Sequence, residues 1–241
     1  MKLKRLFILG LVLACAGVSH ADDILTVKNV EVNPGESVTL EVELSNTSTN
    51  LMGWQCDISL PEGLTLELKD NGRPKATLGE RFSTTKHVIS SSCRANNTYR
   101  FIATSNDGDA IPGTSGTLFT VTLKADATLT GSPMRTCTVK NIEFNTTDNK
   151  KLSFDDVTFF IIIPSLISNC DLNGDSEVDI DDAEAIMDYL LGNPPAGFNA
   201  AAADVNGDGV VDIADAVALL DILMNYVSVS APKMEAPDTQ P

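Results

Sequence analysis

The sequence predicts a mainly β protein with two folded domains, an antiparallel β-sandwich followed by a small helical module. Three observations support this class. Apolar and polar residues alternate with period two over residues 24–163. Acidic residues then dominate residues 170–226, and this acidic region repeats itself at an offset of 33 residues. The length of 241 residues suits one or two domains, and a hydrophobic content of 43% can form a core.

The N-terminus has the pattern of a signal peptide over residues 1–21. A basic start precedes an apolar run, residues 6–18, that is too short to cross a bilayer. Small residues then predict cleavage after Ala21. An alternative is a lipoprotein signal, in which Cys15 carries the lipid. No second long apolar stretch follows, so we expect an exported mature chain without a membrane span.

The sandwich is predicted over residues 22–163. Short alternating segments are separated by turn signals such as Asn33-Pro34-Gly35, which is typical of half-buried antiparallel strands. About eight or nine strands are expected. The last one, residues 157–163, is nearly all apolar and should be central. The clearest apolar faces belong to Val38, Leu40, Val42 and Leu44, and to Trp54, Cys56, Ile58 and Leu60.

Charge separates the second domain from the first. The chain carries 33 Asp and Glu against 17 Lys and Arg, a net charge of −16, which disfavours nucleic acid and attracts cations. Residues 170–226 hold 13 of these acids and no Lys, Arg or His. We therefore expect a linker at residues 164–169, the helical module at residues 170–227, and a disordered tail at residues 228–241.

The repeat consists of two twelve-residue loops, residues 171–182 and 204–215. Over 22 aligned positions 12 residues are identical. Ca²⁺ prefers about six to eight oxygen ligands, which such a loop supplies from places one, three, five, seven (a backbone carbonyl), nine and twelve. Two Ca²⁺ ions are therefore predicted. Their ligands would be Asp171, Asn173, Asp175, Glu177, Asp179 and Asp182, and Asp204, Asn206, Asp208, Val210, Asp212 and Asp215.

The loops depart from the usual EF-hand in two ways. The twelfth ligand is Asp rather than the longer Glu, and Ser176 replaces the Gly expected at the sharp turn, which Gly209 keeps. Ser176 should strain the first loop and weaken its site. An apolar helix follows each loop, at residues 183–191 and 216–224, and residues 198–203 could form a short third helix.

The remaining reactive side chains give little support to catalysis. His87 is the single histidine after the signal peptide, and no catalytic constellation is visible, so we predict a protein that is not an enzyme. Trp54 and Tyr99 lie in phase with core residues, and stacking on sugars is not indicated. Cys56, Cys93, Cys137 and Cys170 could form two disulfides, or one or none, since the sequence leaves these alternatives open.

Duplicated Asp-x-Asn-Gly-Asp loops with Asp at the twelfth place, each followed by an apolar helix, resemble the dockerin family over residues 170–226. The resemblance implies a calcium-dependent three-helix module that binds a cohesin-like partner through the tenth and eleventh loop places and the helix faces. The implied partner-binding residues are Ile180, Asp181, Met187, Asp188, Ile213, Ala214, Leu220 and Asp221. Cellulosomal dockerins carry hydroxyl and basic residues at these places, which argues against a cellulosomal cohesin of that kind.

The first domain resembles, mostly in pattern, the cohesin-like fold shared with some carbohydrate-binding modules. The resemblance rests on residues 30–38, 53–64 and 113–118 and implies a nine-stranded jelly-roll sandwich. Together the domains predict an exported assembly or adaptor protein of a polysaccharide-degrading or cell-surface complex. Its partner would be a cohesin-like domain in another protein or in another copy of itself. The alternative is a carbohydrate-binding protein of a polysaccharide catabolic system, with the sandwich as the sugar-binding module.

Overall fold

The computed structural model describes residues 23–47 and 50–225. The predicted signal peptide and the predicted disordered tail lie outside the described residues. The strands are β1 Ile24–Val27, β2 Val30–Glu31, β3 Ser37–Ser45, β4 Leu51–Ser59, β5 Leu64–Leu66, β6 Ala76–Leu78, β7 His87–Arg94, β8 Thr98–Ser105, β9 Ser115–Ala125, β10 Met134–Thr146, β11 Lys151–Ser153 and β12 Val157–Ile162. The α-helices are α1 Ile180–Leu190 and α2 Ile213–Asn225, and Glu80–Phe82 and Pro164–Cys170 form 3-10 helices.

The strands form two facing sheets. One has the order β1-β3-β9-β5, with β6 also paired to β9. The other has the order β2-β12-β10-β4-β8-β7, with β11 paired to β10. Strand pairs in the described residues are antiparallel except β2–β12, which is parallel. Eight strands have four or more residues, and β2, β5, β6 and β11 are short additions, so the predicted sandwich is confirmed.

The core lies between the sheets because alternate side chains of each strand point inward. Leu40, Val42 and Leu44 of β3 are buried, as the alternation predicted. Trp54 of β4 stacks on Phe119 of the opposite sheet, with ring centroids 4.8 Å apart. Such a buried aromatic side chain contributes about 1.5–3 kcal/mol through removal of its surface from water.

The apolar strand β12 does not lie at the centre of its sheet, contrary to the prediction. In the described part of the chain, the two residues of β2 lie beyond it. Its apolar character has another cause, because both of its faces are covered. Phe159 and Ile161 point into the sandwich core, whereas Phe160 and Ile162 pack against the helical module.

The helical module contains three helical segments, and their places differ from the expectation in two respects. Residues 164–169, predicted as a linker, belong to the 3-10 helix Pro164–Cys170, so a helical segment precedes the first loop. Residues 198–203 form turns and no helix. Helix α1 begins at Ile180 because Asp179 caps it. Helix α2 packs against α1, and both helices bury Ala and Ile side chains in the module core.

Candidate metal centre and interaction surface

The first loop is wound around its own acidic side chains. The Asp171 carboxylate accepts hydrogen bonds from the backbone N–H of Gly174 (2.8 Å) and of Ser176 (3.0 Å). Side-chain oxygens at the third and fifth places also accept hydrogen bonds from the backbone. The Asn173 amide oxygen accepts from the N–H of Asp175 at 2.8 Å, and the Asp175 carboxylate accepts from the N–H of Glu177 at 2.9 Å. Side-chain oxygens at three places of the loop thus accept hydrogen bonds from the backbone of the same loop, and these short-range bonds fix its conformation.

The second loop repeats this arrangement. The Asp204 carboxylate accepts from the N–H groups of Asp208 (3.1 Å) and Gly209 (3.0 Å). Asn206 accepts from the N–H of Asp208 at 2.9 Å, and Asp208 accepts from that of Val210 at 2.9 Å. Two segments that are 33 residues apart therefore have three of these four hydrogen bonds in common, and they differ in that Asp171 bonds the fourth place of its loop and Asp204 the fifth.

The twelfth-place carboxylates connect each loop to its helix. Asp182 is fully buried and accepts from the N–H groups of Leu172 (2.6 Å), Asn173 (3.1 Å) and Asp179 (2.9 Å). Asp215 is also fully buried and accepts from the N–H groups of Asn206 (3.1 Å) and Asp212 (2.8 Å). Each short Asp side chain thus holds the start of its loop against the first turn of the helix.

Electrostatics at the second loop favour a cation. Burial raises the pKa of the Asp215 carboxyl, and the nearby Asp204 charge adds to this effect, although backbone hydrogen bonds oppose it. The module holds 13 acids without a basic residue, so bound cations would offset a strong repulsion.

The predicted ligands fit Ca²⁺ by the chemistry of their donor set. Four carboxylates, one amide oxygen and one backbone carbonyl per loop are hard oxygen donors of the kind that Ca²⁺ prefers. Among residues 23–47 and 50–225, no three His, Cys, Asp or Glu side chains converge to form a metal cluster. The loop carboxylates accept hydrogen bonds from backbone N–H groups instead. The predicted donor set also includes the Asn amide oxygen and a backbone carbonyl oxygen of each loop.

The predicted partner-binding residues divide into two groups. Ile180 is 66% exposed and Ile213 is 58% exposed, and Asp181 and Ala214 beside them are exposed as well. The helix residues Met187, Asp188, Leu220 and Asp221 are half-buried, and Met187 and Leu220 pack against the core of the module.

Two exposed apolar residues of α2 were missed by sequence reasoning. Val217 is 59% exposed and Met224 is 77% exposed. The available signal was the composition of α2, which has apolar residues around most of its circumference. Together with Ile180 and Ile213, these two residues place exposed apolar side chains on the surface of a module that is rich in acidic residues.

Residues that could support other chemistry have structural roles. His87 is buried, and its two ring nitrogens lie 2.8 Å from Thr85 Oγ1 and from the Met52 carbonyl oxygen. Trp54 and Tyr99 are buried in the core, as predicted. The four described cysteines are unpaired, and Cys93 alone among them is exposed. No helix in the described residues is long and apolar enough to span a membrane.

Both parts of the chain, the antiparallel sandwich and the duplicated acidic loop–helix module, match families of non-catalytic interaction domains. The family model of the cohesin domain matches residues 24–166, more than half of the chain. The chain therefore belongs to the cohesin family. The model of the dockerin type I domain, a kind of domain known to bind calcium, matches residues 169–227, the segment that holds the two loops.

Solved structures similar to this chain are cohesins and their complexes. A non-cellulosomal cohesin from the archaeon Archaeoglobus fulgidus is 16% identical, with a TM-score of 0.43, and the match covers 59% of this chain and 92% of that one. A type I cohesin–dockerin complex from Clostridium thermocellum is 11% identical, with a TM-score of 0.47, and the match covers 62% of this chain and 99% of that one. A type III cohesin from a cell-surface anchoring scaffoldin of Ruminococcus flavefaciens is 14% identical, with a TM-score of 0.44, and the match covers 60% of this chain and 89% of that one. A comparison with curated proteins gave no match.

Proposed function

We propose that this chain is an exported, non-catalytic assembly protein whose dockerin domain binds a cohesin-like domain when two Ca²⁺ ions occupy its loops. The partner domain belongs to another protein or to another copy of this chain, in a polysaccharide-degrading or cell-surface complex. The observation that carries this proposal is the duplicated loop, in which the same hydrogen bonds orient the same oxygen donors and lead to the same buried Asp.

The residues of the loops couple metal binding to the interaction surface. Bound Ca²⁺ would supply positive charge to each set of oxygen donors. Asp182 and Asp215 join the start of each loop to the first turn of α1 and α2. Since Ile180 and Ile213 begin those helices, a loop held in one conformation also holds the two exposed isoleucines in place.

The proposed partner surface is free although the module packs on its own sandwich. The contact with the sandwich uses the second loop and the module core, whereas Ile180, Asp181, Ile213 and Ala214 stay exposed. The internal contact and the proposed recognition of a partner therefore use different residues, and one chain can make both contacts at once.

Calcium titration of the full chain, stripped of metal, tests the first half of the proposal. We expect two binding events, and Asp171→Ala and Asp204→Ala should each remove one of them. Absence of heat in the unaltered chain, together with an unchanged circular dichroism spectrum, would rule out the calcium sites.

The partner surface is tested separately with immobilised cohesin domains and with the full chain itself. Ile180→Asp combined with Ile213→Asp should abolish calcium-dependent capture, or calcium-dependent self-association measured by light scattering, while both calcium sites still titrate. Lys28→Ala, an exposed change on the sandwich, is the matched control. Capture that survives the double substitution, or that persists in EDTA, would contradict this assignment.

Export and sugar binding have their own measurements. Mass spectrometry of the mature chain should show a new N-terminus at Asp22, and a lipid-modified Cys15 would show the lipoprotein alternative instead. The alternative of a sugar-binding sandwich lacks support from Trp54 and Tyr99, which are core residues. A glycan array probed with the full chain in calcium tests it directly.

A further inference from the structure

The first three residues of the second loop are held by the sandwich. The Ser132 hydroxyl donates to the Asp204 carbonyl oxygen at 2.5 Å, and the Thr136 hydroxyl donates to the Asn206 carbonyl oxygen at 3.1 Å. Between them the backbone N–H of Met134 donates to the Val205 carbonyl oxygen at 3.3 Å. Three consecutive carbonyl groups of the loop thus accept hydrogen bonds from Ser132, just before β10, and from Met134 and Thr136 at its start.

The corresponding carbonyl of the first loop is bonded within the module. The Leu172 carbonyl oxygen accepts from the backbone N–H of Asn199 at 2.9 Å. Leu172 and Val205 hold the second place of their loops, and both are fully buried. The second-place carbonyl therefore accepts a backbone hydrogen bond in both loops, from Met134 of the sandwich in the second loop and from Asn199 of the module in the first.

Apolar side chains of the sandwich also pack into the module, in a core that includes residues of both loops. The core of the module contains Leu172 and Val205 and also two residues of the sandwich, Met134 and Ile162. These two face each other across β10 and β12 and are almost fully buried. The contact is close, because a Cβ on Gly207 would lie 3.1 Å from the Met134 carbonyl oxygen.

We propose that Ser132, Met134 and Thr136 are positioning residues for the second calcium loop, so that the sandwich completes one half of the dockerin domain. This inference rests on the proposed calcium function. Asp204 and Asn206 are predicted ligands, and fixing their backbone before metal arrives reduces the entropy that binding must remove. The hydrogen bonds that hold the carbonyls of the second loop therefore come from the sandwich, whereas the corresponding bond of the first loop comes from the module.

The test uses full chains in which one loop at a time can bind. Asp171→Ala leaves the second loop, and Asp204→Ala leaves the first. Ser132→Ala with Thr136→Val, added to each, removes two donors from the sandwich. We expect calcium affinity to fall about fivefold to tenfold in the second-loop chain and to stay within about twofold in the first-loop chain.

Two controls separate positioning from general stability. Thr136→Ser, used in place of Thr136→Val, keeps a hydroxyl and should restore most of the calcium affinity of the second loop. Ser90→Ala with Thr104→Val removes the same kinds of hydroxyl from exposed places on β7 and β8, away from the module, and should change neither loop. Hydrogen exchange of the metal-free chain gives a readout without calcium. The double substitution in the sandwich should speed exchange in residues 204–210 and leave residues 171–177 unchanged.

The outcomes distinguish this inference from the proposed function. An equal loss in both single-loop chains, or no loss in either, overturns the inference and leaves the calcium sites intact. Absence of calcium binding in the unaltered chain overturns the proposed function and the inference with it.

Discussion

Ser176 and Gly209 hold the same place in the two loops and share a left-handed backbone, with φ of 75° and 90°. Glycine adopts this conformation freely, whereas a residue with a Cβ pays about 1 kcal/mol. The strain expected at Ser176 from the sequence is therefore located in the first loop alone. The two loops share most of their hydrogen bonds but differ in backbone strain at the sixth place.

Replacing Ser176 should strengthen the first site. We expect Ser176→Gly to raise the calcium affinity of the first loop by about threefold to fivefold, measured in the Asp204→Ala chain. The reciprocal change Gly209→Ser, measured in the Asp171→Ala chain, should weaken the second loop by a similar factor. Unchanged affinity in both would mean that the loop backbone carries no strain that binding must overcome.

Arg135 of the sandwich should weaken calcium binding at the second loop. A Cβ on Gly207 would lie 3.3 Å from the nearer guanidinium nitrogen of Arg135, so this cation stands beside the loop. Burial lowers the pKa of Arg135 and the neighbouring Asp204 opposes that shift, so the group stays charged at neutral pH. Arg135→Gln should therefore raise the calcium affinity of the second loop about threefold through reduced repulsion.

The same substitution should lower stability without calcium. In EDTA the Arg135 charge offsets part of the acidic loop, so Arg135→Gln should reduce the melting temperature, whereas Arg135→Lys should preserve both properties. The measurements are calorimetric titration and thermal unfolding. A shift in the affinity of the first loop as large as that of the second would contradict a local charge effect.

The thiols should differ sharply in reactivity. Burial raises the pKa of the Cys56 thiol and raises that of Cys137 to about 12, and Cys170 is buried in the module core. Cys93 is exposed at the end of β7. With the chain cleaved after Ala21, a thiol reagent should consume one equivalent rapidly and three more after denaturation, and Cys93→Ser should remove the rapid phase. Fewer than four thiols in the denatured chain would indicate a disulfide.

A buried ion pair should make the sandwich sensitive to acid. The Arg100 guanidinium donates two hydrogen bonds of 2.6 Å to the Asp57 carboxylate, and the Asn141 amide adds one of 2.7 Å. Burial raises the pKa of Asp57, but these hydrogen bonds outweigh it and the pKa is lowered overall. This stabilisation is present above about pH 4, the value in the unfolded chain, and is lost as the pH falls through the lower folded value.

Thermal unfolding in EDTA checks this ion pair. Arg100→Met should cost about 2 kcal/mol at neutral pH, because it leaves a buried carboxylate with fewer donors. The difference in free energy of unfolding between Arg100→Met and the unaltered chain should shrink below about pH 4. Adding Asp57→Asn to Arg100→Met should recover part of the loss, and a double variant that loses the full sum would show that the two residues act independently.

Local pattern predicted what depends on residues near each other in the chain. The alternation around Leu40 and Trp54 predicted buried strand faces, and the spacing from Asp171 to Asp182 predicted an oxygen-lined loop. Both follow from backbone geometry over a few residues. The apolar strand 157–163 predicts a central place, because a fully apolar strand resembles one buried in a sheet. The sequence alone does not distinguish such a strand from one that is covered by another domain.

The sequence by itself determined two domains, the sandwich class, and the identity of both loops, because each rests on short-range periodicity and on a repeat. The tertiary structure decided that the module packs against β10 and β12, that a 3-10 helix replaces the expected linker, and that the two loops have different supports. Those features depend on contacts such as Thr136 with Asn206, which join residues 70 positions apart. Their energies come from burial and hydrogen bonding that no local pattern encodes.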